Sequence, residues 1–157
     1  MKRKILIGLA LVFVVIQFIR IDKTNPEDKP GSRDILAFYP DSDTIGHLLK
    51  VACYDCHSNH TNYPWYSNIA PVSWWLQEHI EDGRKHLNFS DWSEYPDRKA
   101  NHKLEECIEM VQEGEMPLTS YTIAHGEARL NEEDKARLIR WFKRHMSTHA
   151  RETEDHD

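Results

Sequence analysis

The sequence predicts an all-α protein, and two observations support this prediction. Apolar residues recur at helical spacing in four stretches, which cover residues 43–52, 71–87, 99–112 and 131–146. No stretch alternates between apolar and polar residues at the period of two that is typical of a strand. The chain has 157 residues, of which 39% are hydrophobic and 29% charged, so it is long enough for one compact domain and too apolar for a disordered polyelectrolyte.

Each of the four predicted helices has one apolar stripe and recognisable ends. The stripes consist of Ile45, Leu48, Leu49 and Ala52, then Val72, Trp75, Leu76, His79 and Ile80, then Leu104, Cys107, Ile108 and Val111, and last Leu138, Trp141, Phe142 and His145. Pro71 suits the first turn of the second helix, and Gly114 suits the end of the third. Asn131, with Asp134 three residues later, suits the start of the fourth helix.

The N-terminus predicts a transmembrane helix within residues 1–21. An apolar run of 17 residues from Ile5 to Ile21, interrupted by Gln17 and Arg20, follows three basic residues and is at the short end of what spans a bilayer. A cleavable signal and a buried core helix are the alternatives. The bulky residues after the run offer no small-residue cleavage site, and a helix apolar on all sides has no place in so small a domain. We therefore expect an uncleaved anchor, with its basic N-terminus in the cytoplasm.

The rest of the chain divides into three parts by composition. Residues 22–34 are charged and contain proline and glycine, which predicts an exposed tether. Residues 35–147 form the predicted domain, and residues 148–157 a flexible tail. From residue 22 onward the chain has 16 basic and 26 acidic groups, a net charge of −10. This charge argues against nucleic acid as a partner and favours a basic protein.

Residues 53–57 read Cys-Tyr-Asp-Cys-His, the C-x-x-C-H signature of covalent haem attachment. Cys53 and Cys56 are spaced so that each thiol can add across one vinyl group of the same haem. His57, directly after the second thiol, can then bind the iron through its imidazole. We predict one covalently attached haem c, held by these three residues.

Two other uses of the cysteine pair are less well supported. A zinc site needs a second pair of ligands at short spacing, which the remaining histidines do not supply. A thioredoxin-like dithiol needs a βαβ context, whereas the predicted domain is helical. The third cysteine, Cys107, lies on an apolar helix face and is expected to be a buried, inert thiol rather than part of an intermolecular disulfide.

The predicted sixth iron ligand is Met116, which lies beside Pro117 in the loop before the last helix. A His/Met ligand pair raises the reduction potential and is typical of electron carriers. His125, His79 and His60 are the alternatives. Separately, Arg84, Lys85 and Arg98 are candidates for ion pairs with haem propionates.

Four segments carry a resemblance to a known family: CYDCHSNHTNYPWYSNIAPVSWW, HIEDGRKHLNFSDW, GEMPLTSYTIAHGEARL and EEDKARLIRWF. Together they resemble the bacterial haem-binding-domain family of small c-type cytochrome-like proteins, over about residues 35–142. The resemblance implies a cytochrome c-like, membrane-anchored protein with one haem, exposed to the periplasm. The haem-attaching residues of the family correspond to Cys53, Cys56 and His57, and its methionine-proline loop to Met116 and Pro117. The Tyr/Trp-rich insert after the haem motif departs from the simpler pattern of class I cytochromes c.

The predicted function is the relay of single electrons by a membrane-anchored cytochrome in the bacterial inner membrane, with its domain in the periplasm. An electron carrier transforms no substrate and needs no nucleophile or general base, and no Ser/His/Asp constellation stands out in the sequence. The expected partners are a cytochrome c maturation machinery and a redox protein. Two alternatives remain open: a peroxidase-like enzyme assisted by a distal histidine such as His125, and a sensor of a diatomic gas with a displaceable sixth ligand.

Overall fold

The structure is a computed structural model that describes residues 1–26, 31–40 and 43–154, with side chains up to residue 146. Its α-helices are α1 (Lys2–Ile16), α2 (Ile35–Phe38), α3 (Asp43–Ala52), α4 (Tyr54–His57), α5 (Val72–His86), α6 (Asp97–Glu113), α7 (Thr119–Ala124) and α8 (Glu132–Glu154). Short 3₁₀ helices cover Trp65–Asn68, Phe89–Glu94 and Gly126–Ala128. No strand occurs among the described residues, so the all-α prediction is confirmed.

The four predicted helices correspond to α3, α5, α6 and α8. Helix α3 has the predicted bounds, whereas α6 begins two residues earlier, at Asp97, and α8 continues to Glu154. The end of α6 and the start of α8 have the capping residues that the sequence predicts. Gly114 closes α6 in the left-handed conformation, with φ of 74°. At the start of α8, the Asp134 amide donates to Asn131 Oδ1 over 2.9 Å, and the Asn131 amide donates to Asp134 Oδ2 over 3.4 Å.

The core lies between α6 and α8, which pack along each other, and the elements that cover them. Its largest buried side chains are aromatic: Trp92, Trp141, Phe89 and Phe142. Leu49 of α3 and Leu104 of α6 are also fully buried in this cluster. Because Phe89 stacks on Tyr54, at 5.7 Å between ring centroids, the core continues into the short helix that contains the haem motif.

A buried carboxyl group joins α2 to the haem motif. Asp34 is fully buried; its Oδ1 accepts hydrogen bonds from the Leu36 amide at 2.9 Å and from the Tyr54 hydroxyl at 2.7 Å. The first bond caps α2, and the second fixes the first residue of α4. Burial raises the pKa of Asp34, and these hydrogen bonds act in the opposite direction.

The N-terminal helix α1 has 15 residues, none of them buried, and is followed by a turn through Ile19. Within the described part of the chain, no helix is both long and apolar enough to cross a membrane. Residues 27–30 of the predicted tether and residues 155–157 of the predicted tail lie outside the described residues.

Candidate haem site

The haem motif lies at the junction between α3 and α4. Cys53 precedes α4, and its carbonyl accepts hydrogen bonds from the Cys56 amide at 3.2 Å and the His57 amide at 2.9 Å. One helical turn therefore places both thiols and the imidazole on the same short segment. Both cysteines are half-buried, and neither is in a disulfide. This is the compact arrangement that covalent attachment to a single porphyrin requires.

The imidazole of His57 is held in one orientation by the end of α5. Its Nδ1 lies 3.1 Å from the Gly83 carbonyl oxygen and 3.1 Å from the Leu87 carbonyl oxygen. Both partners only accept hydrogen bonds, so Nδ1 carries the hydrogen and Nε2 keeps its lone pair for a metal. Burial lowers the pKa of His57, which keeps the ring neutral near pH 7. A metal-binding histidine needs this tautomer and this charge.

Gly83 allows α5 to approach the haem motif. A Cβ atom added at Gly83 would lie 2.6 Å from the Cys56 carbonyl oxygen and 3.2 Å from Cys56 Cβ. Any side chain at this position would push α5 away from α4, and with it the carbonyl that orients His57. Sequence reasoning missed this role. The available signal was a glycine inside an otherwise regular amphipathic helix.

The two thiols are weakly acidic, and this property distinguishes haem attachment from disulfide exchange as the use of the motif. Burial raises the pKa of Cys53 to about 12 and that of Cys56 to about 11. Dithiol oxidoreductases depend on a lowered thiol pKa, so this pair is poorly suited to disulfide exchange. Among the described residues, no group of three or more His, Cys, Asp or Glu side chains is placed to hold a metal ion.

An apolar cleft of about 190 Å³ opens beside Cys56. Its walls include Tyr66, Trp75, Leu76, His79, Leu118 and Tyr121. Tyr66 comes from the insert after the motif, Trp75 from the first turn of α5, and Tyr121 from α7 in the connection before α8. Apolar walls next to an attachment cysteine suit contact with part of a porphyrin.

The connection after the motif is fixed by Arg84. Its Nε donates to the Ser58 carbonyl at 2.7 Å, and its Nη2 donates to Thr61 Oγ1 at 2.9 Å. Arg84 therefore holds the chain directly after His57, a structural role that differs from the predicted ion pair with a haem propionate. No contact of Lys85 or Arg98 tests the prediction that these residues form ion pairs with haem propionates.

The loop that contains Met116 is tied to the motif through Tyr121. The Tyr121 hydroxyl donates to Asp55 Oδ2 at 2.8 Å, while Asp55 Oδ1 accepts from the Asn62 amide at 2.9 Å. Asp55 thus joins both long connections to α4. Its position between the two cysteines in the sequence does not predict this role. Met116 itself is half-buried, and Leu118, two residues later, lines the cleft. The structure brings the loop to the cleft, and iron ligation by Met116 stays a prediction.

The three alternative histidines have different surroundings. His125 Nε2 lies 2.8 Å from the Tyr66 hydroxyl, and the His125 ring stacks on Tyr121 at 4.2 Å between centroids. His79 lines the cleft, and its Nδ1 lies 2.9 Å from the Trp75 carbonyl oxygen. His60 is half-buried and does not line this cleft. His125 therefore already has a partner at its Nε2, whereas His79 is the histidine among the three that lies in the cleft wall.

The residues present fit a haem. Cys53 and Cys56 supply two thiols, His57 supplies an oriented and neutral nitrogen ligand, and the apolar cleft lies next to Cys56. The arrangement depends on the close contact between Gly83 and the Cys56 carbonyl, and a side chain at Gly83 would collide with that carbonyl. The site thus has the features of a haem-binding protein rather than of a zinc site or a dithiol enzyme.

A family model described as a haem-binding domain matches residues 11–144. This match covers most of the 157 residues, and the chain belongs to the haem-binding-domain family. The resemblance noted in the sequence is confirmed. No curated protein and no solved structure matches the chain.

Substituting Gly83→Ala should destabilise the domain, because the new methyl group meets the Cys56 carbonyl. We expect a loss of about 1–3 kcal/mol in the free energy of unfolding, as is typical of overpacking. The matched control is Gly46→Ala in α3, where the added Cβ meets only Leu36 Cδ1 at 3.7 Å. That variant should gain roughly 0.5–1 kcal/mol from helix propensity. Chemical denaturation of both proteins measures the difference, and equal stabilities would contradict the proposed contact.

Alkylation of the haem-free protein should be slow near pH 8. With a pKa of about 11 instead of the ordinary 9.0, the thiolate fraction of Cys56 falls about 100-fold. The rate of iodoacetamide modification at Cys56, followed by peptide mass spectrometry, should rise steadily up to about pH 11. Unfolding in denaturant is the control and should restore the ordinary rate. Rapid modification of the folded protein at pH 8 would show that the thiol is not held as described.

Proposed function

We propose that this protein is a monohaem c-type cytochrome that relays single electrons at the periplasmic face of the bacterial inner membrane. The observation that carries the proposal is the geometry at α4 and α5. Two half-buried thiols lie one turn apart, next to an imidazole whose Nδ1 is bound by the Gly83 and Leu87 carbonyls. This arrangement suits permanent attachment of a redox cofactor better than reversible thiol chemistry.

Each residue of the site has a definite task in this proposal. The haem supplies an iron that accepts and releases one electron. Cys53 and Cys56 would retain the porphyrin through thioether bonds, and His57 would bind the iron through Nε2. Tyr66 and Trp75, in the cleft wall, would exclude water from the porphyrin, which favours rapid electron exchange over binding of small molecules.

Met116 is the proposed sixth ligand. Its loop is held at the cleft by the hydrogen bond from Tyr121 to Asp55, and Pro117 stiffens the chain next to the sulfur. His125, one of the three alternative ligands, uses its Nε2 for the contact with Tyr66. A methionine ligand raises the reduction potential, and the His/Met pair is typical of electron carriers.

The membrane anchor and the location are part of the same proposal. Helix α1 and the turn after it form an exposed apolar segment behind three basic residues, the charge pattern that keeps an N-terminus in the cytoplasm. The body would then face the periplasm, where the cytochrome c maturation machinery attaches haem. Its net charge of −10 favours a basic redox partner, with association that weakens as salt is added.

Covalent attachment is tested with protein matured in a bacterium that attaches c-type haem. The full chain should gain the mass of one haem, and its reduced pyridine spectrum in denaturant should show two saturated vinyl positions. The double variant Cys53→Ala/Cys56→Ala should lose both signals. The control Cys107→Ala removes the third cysteine and should retain them. A bare polypeptide from the unmodified gene would refute the proposed function.

The sixth ligand is tested with Met116→Leu, which keeps the volume and removes the sulfur. We expect loss of the spectroscopic signature of methionine ligation, a lower reduction potential and new binding of carbon monoxide. The control Met110→Leu alters another half-buried methionine, on α6, and should leave all three unchanged. If the unmodified protein binds carbon monoxide or turns over peroxide, the gas sensor or the peroxidase replaces the electron relay.

A further inference from the structure

The chain after α1 is bound to the body by paired hydrogen bonds. The side-chain amide of Gln17 donates to the Ala70 carbonyl and accepts from the Ala70 amide, both at 3.0 Å. Trp74 Nε1 donates to the Ile19 carbonyl, also at 3.0 Å. The amide pair imitates a backbone ladder, so the end of α1 has a defined position against the start of α5.

The same contact continues along the next residues. Arg20 donates to the Asn68 carbonyl at 2.9 Å, and Lys23 donates to Asn68 Oδ1. Asn25 forms a second reciprocal pair with the backbone of Thr61, with both distances 3.1 Å. We call this contact, between residues 17–25 and residues 61–74, the N-terminal clasp. The family match begins at residue 11 and therefore includes the whole clasp.

The surface around the clasp combines apolar and basic groups. The apolar side chains of α1 are exposed, and Trp65, which is 76% exposed and does not line the cleft, belongs to the clasped loop. Arg20 and Lys23 lie in the clasp itself, although the body as a whole has a net charge of −10. Tryptophan and basic side chains at the end of an apolar helix are the groups that lipid headgroups accommodate.

We propose that the domain rests directly on the phospholipid headgroups of the bilayer that α1 enters. The N-terminal clasp fixes its orientation, Trp65 lies in the interface, and Arg20 and Lys23 lie at the phosphates. This inference rests on the membrane anchor of the proposed function. In this arrangement the domain is held at one angle to the membrane, whereas the sequence predicts a domain on an exposed tether.

The orientation has a consequence for the cleft. Tyr66 and Trp75, two residues of the cleft wall, belong to the clasped loop and the first turn of α5. The clasp therefore places this wall of the haem cleft near the membrane surface. A redox partner would be reached along the bilayer plane, which suits a membrane-bound donor or acceptor.

The test uses the full haem-loaded chain, labelled with ¹⁵N at its five indole nitrogens, in phosphatidylcholine nanodiscs with nitroxide-labelled headgroups. Peak intensities are divided by those in unlabelled nanodiscs, which cancels broadening by the haem. The Trp65 signal, assigned with Trp65→Phe, should fall several-fold. Trp92 and Trp141, each 1% exposed, are the internal reference and should change far less.

The clasp is tested with Gln17→Ala/Asn25→Ala, which removes both reciprocal pairs and should restore much of the Trp65 intensity. The control Gln112→Ala changes an exposed amide on α6 and should not. If the chain enters nanodiscs and the Trp65 signal keeps its intensity, the inference is wrong and the anchor is unaffected. Burial of Trp65 by a second copy of the chain, instead of by lipid, gives this result. A haem-loaded chain that does not enter nanodiscs overturns both the anchor and the inference, without affecting haem binding. Strong broadening in the clasp variant overturns the role of the clasp.

Discussion

The close approach of α5 to the haem motif is the contact on which the rest of the site depends. It exists because Gly83 has no Cβ, so the Cys56 carbonyl can lie where a side chain would otherwise be. At that distance the carbonyls of Gly83 and Leu87 both reach His57 Nδ1 and select its tautomer. One missing methyl group therefore determines which nitrogen of the histidine keeps a free lone pair.

The long connections of the domain are ordered by polar contacts to the same short helix. Asp55 receives the Asn62 amide from one connection and the Tyr121 hydroxyl from the other. Arg84 adds two hydrogen bonds to the chain after the motif. Because the bonds made by Tyr121 and Arg84 are partly buried, each of these is worth more than a contact at the open surface. These bonds hold the loops that line the cleft in one arrangement, and a loop held in this way loses less entropy when a ligand binds.

The sequence was sufficient for the features that depend on local pattern. The apolar stripes predicted α3, α5, α6 and α8, and the Asn131/Asp134 pair predicted the start of α8. Helices α2, α4 and α7 have four to six residues, too few to show a periodicity. The roles of Gly83 and Asp55 depend on contacts between distant segments, which no spacing rule encodes. The hydrogen bonds of Arg84 to Ser58 and Thr61 could not be predicted for the same reason, and its ion pair with a haem propionate stays a prediction.

Helix α5 connects the N-terminal clasp to the haem motif. Its first turn contains Trp74, which binds the chain leaving α1, and its last turns contain Gly83, which orients His57. Between them, Trp75 and Leu76 line the cleft. A helix of 15 residues is about 22 Å long and nearly rigid, so it transmits orientation over that distance without a hinge. If α1 fixes the body at the membrane, the same helix fixes the angle of the haem to the bilayer. The distance over which an electron must pass to a membrane-bound partner is then set by the fold rather than by diffusion of a tethered domain.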